Sequence, residues 1–345
     1  MSGASHTPGT PSLDAPEPPT LADIGRAAGS LADRAVFTPL VESPLLNDRL
    51  GCRVLAKAEV LQRTGSFKFR GAFNRLSKLN EDERRMGVVA YSSGNHAQGV
   101  AAAARIVGTS ATIFMPKDAP ATKVLNTRRH GAEVRFYDRA TENREEMAEA
   151  LARERGGVVV RPYEDPDVIA GQGTVGLEIA SQARRMGIHL DAVLVPCGGG
   201  GLSAGTALAI AGASPETRVY SVEPQGFDDM ARSLAADARK RNAGGGQSMC
   251  DALLMPEPGA LTFAVARGRL AGGLAVGDAA TRRAMVTAFA DLNLVVEPSG
   301  AVALAAVLAE AIETSGRTLV VVLTGGNVDP ETFSEVLASE EWPPA

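Results

Sequence analysis

The segment Ser66-Phe67-Lys68-Phe69-Arg70-Gly71 sets an amine between two aromatic residues and beside a guanidinium. Apolar surroundings and a neighbouring positive charge both lower a lysine's pKa, which favours the neutral amine that attacks carbonyl carbons. Taken alone, the fragment also fits a surface lysine with its stem laid on apolar neighbours. A second segment, Cys197-Gly198-Gly199-Gly200-Gly201-Leu202-Ser203-Ala204-Gly205, follows a Val-rich run and precedes a run of small residues. Successive glycines bare successive backbone amides, and a helix start behind them adds its positive end. Together they suit a phosphate ester, with a flexible turn as the plainer alternative. The order is neither Gly-x-Gly-x-x-Gly with a later acidic ribose ligand nor a Gly-Lys-Ser/Thr loop, so a compact phosphate fits better than a dinucleotide. A third segment, Ser92-Ser93-Gly94-Asn95-His96-Ala97-Gln98-Gly99, puts hydroxyls and an amide where a strand runs into a helix. Such a helix start can receive a carboxylate, or simply be capped by Ser or Asn at a gain of about 1 kcal/mol. His96 by itself reads more readily as a structural histidine.

The elements that must position these segments alternate. Strand-like runs at 88–91, 111–115, 132–137, 158–161, 192–195, 219–222 and 318–323 are separated by helical stretches such as 97–107 and 142–155. This alternation predicts an α/β fold, parallel sheets with helices on both faces and right-handed crossovers. Ligands in such sheets bind beyond the carboxyl ends of the strands. Those ends carry Gly, Ser, Thr or Asn here, as in Thr324-Gly325-Gly326-Asn327. The Gly-rich stretch 242–246 reads as a loop.

The chain has 345 residues, 45% hydrophobic and 22% charged, ample for a packed core in one large or two smaller domains. With a formal net charge of -5 and no basic domain, nucleic acid is not an expected partner. No polybasic stretch offers itself to a membrane, and no run is long and apolar enough to span one; 301–311 comes nearest. Cys52, Cys197 and Cys250 are odd in number and widely spaced. They suggest neither a disulfide framework nor a zinc site, and fit a reducing, cytoplasmic compartment. Residues 1–20 lack the basic start and apolar run of a secretory signal and read as a disordered tail.

The segments SFKFRGA, SSGNHAQG, DVIAGQGT, PCGGGGLSAG, EPQGFDD, VEPSGA and LTGGN occur in this order between about residues 30 and 330. Together they resemble the fold-type II pyridoxal-phosphate enzymes, in the branch of threonine/serine dehydratases and serine racemases. The resemblance implies an α/β fold like that of the tryptophan synthase β-subunit: two parallel-sheet domains with the cofactor in the cleft. The small mobile domain would be 87–164, and the large pyridoxal-phosphate-binding domain 21–86 plus 165–345.

By the same resemblance, Lys68 holds pyridoxal 5'-phosphate as a Schiff base and moves the substrate's α-proton. Phe67 packs on the pyridine face and Asn95 bonds the ring's 3′-oxygen. Gly198, Gly199, Gly200, Gly201 and Leu202 cradle the phosphate, Glu297 lines the cofactor and Thr324 faces the ring nitrogen. A neutral hydroxyl at Thr324 leaves that nitrogen largely unprotonated, a weaker electron sink that suits β-elimination. Ser92, Ser93, Asn95 and His96 match the loop that grips the substrate carboxylate. Ser93 also stands where racemases carry an acid/base opposite the lysine, so it joins Lys68 as a catalytic candidate. Arg144 aligns with a substrate-side arginine of serine racemases, or is a solvated helix residue among glutamates. Glu223, Asp229 and the carbonyl of Phe227 match a divalent-cation site. Its all-oxygen donors suit Mg²⁺, Mn²⁺ or Ca²⁺; a turn with solvated acids is the alternative.

Two positions depart from the family pattern. Tyr163 stands where mammalian-type racemases have asparagine and dehydratases often an aromatic residue, and Asp251-Ala252 replaces a commoner Asp-Gly. The chain ends soon after the last motif, so feedback through the large regulatory domain of biosynthetic threonine dehydratases is not expected. The expected activity is β-elimination of L-threonine or L-serine to a 2-oxo acid and ammonia. Serine racemisation or 3-hydroxyaspartate dehydration on the same site, or a non-catalytic module that binds the cofactor or an amino acid, are the alternatives. A homodimer or homotetramer is the usual assembly in this family.

Overall fold

Short runs of Val, Leu, Ile and Ala form the strands of the computed structural model, which describes residues 16–340. In chain order they are β1 (Leu40–Val41), β2 (Arg53–Ala58), β3 (Val88–Tyr91), β4 (Ala111–Pro116), β5 (Glu133–Tyr137), β6 (Val158–Val160), β7 (Ala192–Pro196), β8 (Arg218–Pro224), β9 (Gly272–Val276) and β10 (Thr318–Leu323). Two sheets result, ordered β1-β2-β10-β7-β8-β9 and β5-β4-β3-β6. All pairings are parallel except that of β1 with β2. Val193, Leu194, Val320, Val321 and Val322 in β7 and β10 have no exposed surface, because helices cover both faces of a parallel sheet. The four-stranded sheet lies inside the segment 87–164; the strands of the six-stranded sheet lie outside it.

The alternation in the sequence located seven of these strands, with ends shifted by a residue or two. β1, β2 and β9 were not legible. In β2 the charges of Arg53 and Lys57 mask a buried strand, yet Lys57 is fully buried, with Nζ donating to Thr38 O and Glu178 Oε2, both at 2.6 Å. β9 opens on two glycines. A Cβ on Gly273 would lie 2.5 Å from the Cβ of Ala231, so helix Asp229–Ala235 can approach only a bare strand there.

The long helix Pro166–Met186 ties the two sheets together. On one side it crosses helix Lys68–Leu76, where a Cβ on Gly171 would stand 2.6 Å from Gly71 Cα. On the other it crosses helix Gly201–Ala213, where a Cβ on Gly205 would stand 2.6 Å from Ile169 O. Glycine at these crossings brings the backbones together and sets the lysine helix and the glycine-loop helix in a fixed relation. Residues 1–15 of the expected tail lie outside the described residues. Its last residue, Thr20, is structured: it caps helix Leu21–Leu31 in a reciprocal box with Asp23. Among the described residues no helix is long and apolar enough to cross a membrane, and the three cysteines are buried and free.

Candidate active site

Lys68 opens its helix at the floor of a cleft beyond the carboxyl ends of β3, β7 and β10. Its backbone is held from two sides. Phe67 N donates to Thr324 O at 3.1 Å, and Gly99 brings helix Asn95–Val107 so close that a Cβ there would lie 3.0 Å from Lys68 C. Lys68 Nζ donates to Pro162 O at 3.0 Å and lies 5.1 Å from the centre of the Phe67 ring. Removal from water pushes its amine down from the ordinary 10.5 to about 8.

The sequence reading also assigned part of that shift to Arg70 and Phe69, and the structure corrects it. Successive helical residues leave the axis about 100° apart, so neither follows Lys68 into the cleft. Arg70 is fully buried and held by Glu59 (2.7 and 2.8 Å) and Glu178 (2.6 and 2.9 Å). Its charge is matched there, and it contributes nothing to the shift of Lys68. Phe69 stacks on Phe73 at 5.7 Å within the core beneath the four-stranded sheet.

The glycine loop follows β7. Gly200 has φ +94°, the left-handed region that turns the chain into helix Gly201–Ala213. A side chain at Gly199 would run into the Tyr163 ring, and one at Gly200 would meet Met230 Cε at 2.8 Å and Thr262 Oγ1 at 2.9 Å. The amides of Gly198, Gly199, Gly200, Gly201 and Leu202 have no hydrogen-bond partner among the described residues. Consecutive free amides at a helix start form a nest for an anion. They fit a phosphate group, with Lys68 across the same cleft.

The turn after β3 supplies Ser92, Ser93, Asn95 and His96 to this cleft. Ser92 Oγ accepts from Gly94 N at 3.1 Å, which shapes the turn. Asn95 is clamped, with Oδ1 accepting from Asn327 Nδ2 at 2.9 Å and Nδ2 donating to Glu297. His96 is buried and neutral. Burial, and then the charge of Lys68, push its pKa down to about 3, so Nε2–H donates to Val160 O at 3.0 Å. Its Nδ1 has no hydrogen-bond partner among the described residues. Arg144 starts helix Arg144–Arg155 at the cleft mouth, 5.4 Å from the Tyr91 ring centre, and forms no ion pair among the described residues.

One cleft therefore gathers Phe67, Lys68, Ser92, Ser93, Asn95, His96, Arg144, the four glycines, Leu202, Glu297 and Thr324. It also holds Lys123, which no motif had marked; a lysine in an ordinary polar helix carries no local signal. Tyr163, seen in the sequence only as a departure, lies over the glycine loop, and burial raises its hydroxyl to about 12.

Glu223, Phe227 and Asp229 do not line this cleft. Glu223 accepts from the amides of Met230 and Ala231, each at 2.8 Å. Asp229 Oδ1 accepts from Asn242 Nδ2 at 2.6 Å, while its Oδ2 is buried without a partner among the described residues. Burial, and then Asp229 beside it, push Glu223 well above the carboxylate range; burial brings Asp229 to about 6. Among the described residues no cluster of three or more His, Cys, Asp or Glu could hold a metal.

Residues 32–325 match the family model described as pyridoxal-phosphate dependent enzyme. The chain is 42% identical over 321 residues to the L-threo-3-hydroxyaspartate ammonia-lyase of Pseudomonas sp, covering 91% of this chain and 97% of that one. Among solved structures, the threonine deaminase of T.th. is 45% identical with a TM-score of 0.85, covering 90% and 99% of the two chains. Maize serine racemase is 34% identical with a TM-score of 0.86, covering 93% and 98%.

Proposed function

The chain belongs to the pyridoxal-phosphate-dependent enzymes, in the branch of threonine dehydratases and serine racemases, and on that premise we propose that it is an ammonia-lyase acting on β-hydroxy-α-amino acids. The observation that carries this reading is the convergence of the Lys68 amine, the free amides of the glycine loop and the 92–96 turn on one cleft. Bound there, pyridoxal phosphate supplies a ring that withdraws electrons from the substrate's α-carbon. The amides of Gly198, Gly199, Gly200, Gly201 and Leu202 would hold its phosphate, Asn95 would bond its 3′-oxygen, Phe67 and Glu297 would line its ring, and Thr324 would offer the ring nitrogen a neutral hydroxyl.

The turn carrying Ser92, Ser93, Asn95 and His96 receives the substrate carboxylate and fixes the α-hydrogen toward Lys68. With its amine near neutrality, Lys68 removes that proton and holds it at Nζ. The β-hydroxyl departs with one proton as water, and the enamine product, once released, takes up one water to give a 2-oxo acid and ammonia. Closure of the 87–164 segment over the cleft would exclude bulk water until the enamine product is released.

L-Serine and L-threonine satisfy this scheme. The guanidinium of Arg144, which has no ion-pair partner among the described residues, favours a substrate with a second carboxylate, 3-hydroxyaspartate, over either. Racemisation needs an acid/base on the face opposite Lys68, where Ser93 is the candidate. We also propose a divalent cation, Mg²⁺ or Mn²⁺ with Ca²⁺ as an alternative, at Glu223, Asp229 and the Phe227 carbonyl. The supporting feature is the buried, unpartnered Asp229 Oδ2 beside a second carboxylate. Assaying L- and D-serine, L-threonine and L-threo-3-hydroxyaspartate for ammonia, oxo acid and enantiomer tests the reading. Lys68→Ala should abolish ammonia release; a variant that releases it at the wild-type rate refutes the mechanism.

A further inference from the structure

Lys123 lies in helix Ala121–Arg129, which follows β4, and is 4% exposed. Its ammonium reaches across the cleft to two carboxylates attached to the other sheet: Asp251 Oδ2 at 3.1 Å and Glu297 Oε2 at 3.3 Å. Asp251 opens the turn Asp251–Leu253, whose Ala252 N donates to Ser299 Oγ at 3.0 Å. Glu297 precedes helix Pro298–Leu308, is buried, and accepts from Asn95 with its other oxygen. On its own side of the cleft, the Lys123 stem lies against Gly94 so closely that a Cβ there would overlap it. One side chain thus touches the 92–96 turn, the acceptor of Asn95 and the turn that faces the substrate space.

We propose that Lys123 is a positioning residue: it clamps the carboxylate-binding turn onto the opposite sheet and keeps Glu297 an ionised acceptor for Asn95. This rests on the elimination reading for its chemistry but not for its geometry. Burial leaves no water to solvate Glu297, and a buried carboxylate without a cation becomes protonated or expels its neighbours. The charged groups facing Glu297 are Lys123 and Asp251, with Asn95 as the neutral donor. Burial first, then Asp251, raise its pKa, while Lys123 and Asn95 lower it. Without Lys123 nothing charged opposes the rise. With that charge removed, Glu297 is driven further toward its neutral form, and Asn95 and the turn at 92–96 lose the charged tie to the opposite sheet.

The test compares Lys123→Met, which keeps the stem length, with Lys123→Arg, which keeps the charge, and with the exposed control Lys117→Met on the same sheet. Hydrogen exchange of the peptide spanning 92–99 is read in cofactor-free and pyridoxal-phosphate-loaded protein. Ammonia release from L-threo-3-hydroxyaspartate and L-serine is read against pH. Lys123→Met should speed exchange in that peptide at least tenfold in both states. It should cut kcat/KM about 100-fold, the loss that misplacement of a bound group by an ångström produces, and move the acidic limb of the profile to higher pH. Lys123→Arg should restore exchange and the limb, and Lys117→Met should change neither.

Unchanged exchange in Lys123→Met, or an unshifted limb, overturns the inference. If Lys123→Met fails to fold, Asp251→Asn takes its place and should speed exchange in the same peptide; unchanged exchange there overturns the clamp equally. If the wild-type protein releases no ammonia while exchange still responds to Lys123, the elimination reading fails and the clamp stands.

Discussion

The amine of Lys68 should titrate near pH 8, and this can be measured as the pH dependence of cofactor capture. Its pKa falls from 10.5 to about 8 through burial alone. At pH 7 roughly one molecule in ten then carries the neutral amine, against about one in 3,000 for an ordinary lysine, a gain of about 300-fold in nucleophile. Cofactor-free protein mixed with pyridoxal phosphate in a stopped-flow instrument should develop its visible absorption at a rate that rises tenfold per unit up to about pH 8 and levels off above it. The same shift alters stability. Between pH 8 and 10.5 the unfolded chain binds a proton at Lys68 that the folded protein does not, so stability rises with pH across that window. Below pH 8 the penalty is fully present, at no more than about 3 kcal/mol, because the cleft admits some solvent. Lys68→Met should therefore raise the Tm of the cofactor-free protein at pH 7 and leave it unchanged above pH 10.5. A capture rate that keeps climbing through pH 10, together with an unchanged Tm in Lys68→Met, would show that the cleft does not desolvate the amine and would refute the argument.

Three further outcomes follow from the packing and the charges. Gly205→Ala places a Cβ 2.6 Å from Ile169 O at a helix crossing, so it should cost about 1–3 kcal/mol by denaturant unfolding and lower the affinity for the cofactor with it. Arg70→Met strands the fully buried Glu59 without its cation and should cost about 3–5 kcal/mol in the same measurement. Asp229, raised to about 6, gains a proton on folding between about pH 4 and 6, so it favours stability as pH falls through 6. Saturating Mg²⁺ or Mn²⁺ should raise the Tm at pH 7.5 and flatten this dependence, with EDTA reversing both. Insensitivity of the Tm to these ions would remove the cation from the scheme.

Local pattern alone was enough for much of this protein. Apolar runs of four to six residues with glycine or polar punctuation predict β3, β7 and β10, and the motifs at their carboxyl ends name the residues that one cleft gathers. That legibility has a physical cause: parallel strands must be apolar on both faces, and a phosphate nest needs glycines in succession, so both leave a continuous local signature.

Three features depend instead on partners far away in the chain. β2 hides behind Lys57, whose charge is tolerable only because Glu178 arrives from 121 residues away. Arg70 reads as an activator of Lys68 in the sequence, and only the helix turn between them and the carboxylates of Glu59 and Glu178 show that its charge is used elsewhere. Lys123 carries no motif at all. Its role appears when folding sets it between Asp251 and Glu297, because an ion pair stores its information in distance between side chains and not in their spacing along the chain.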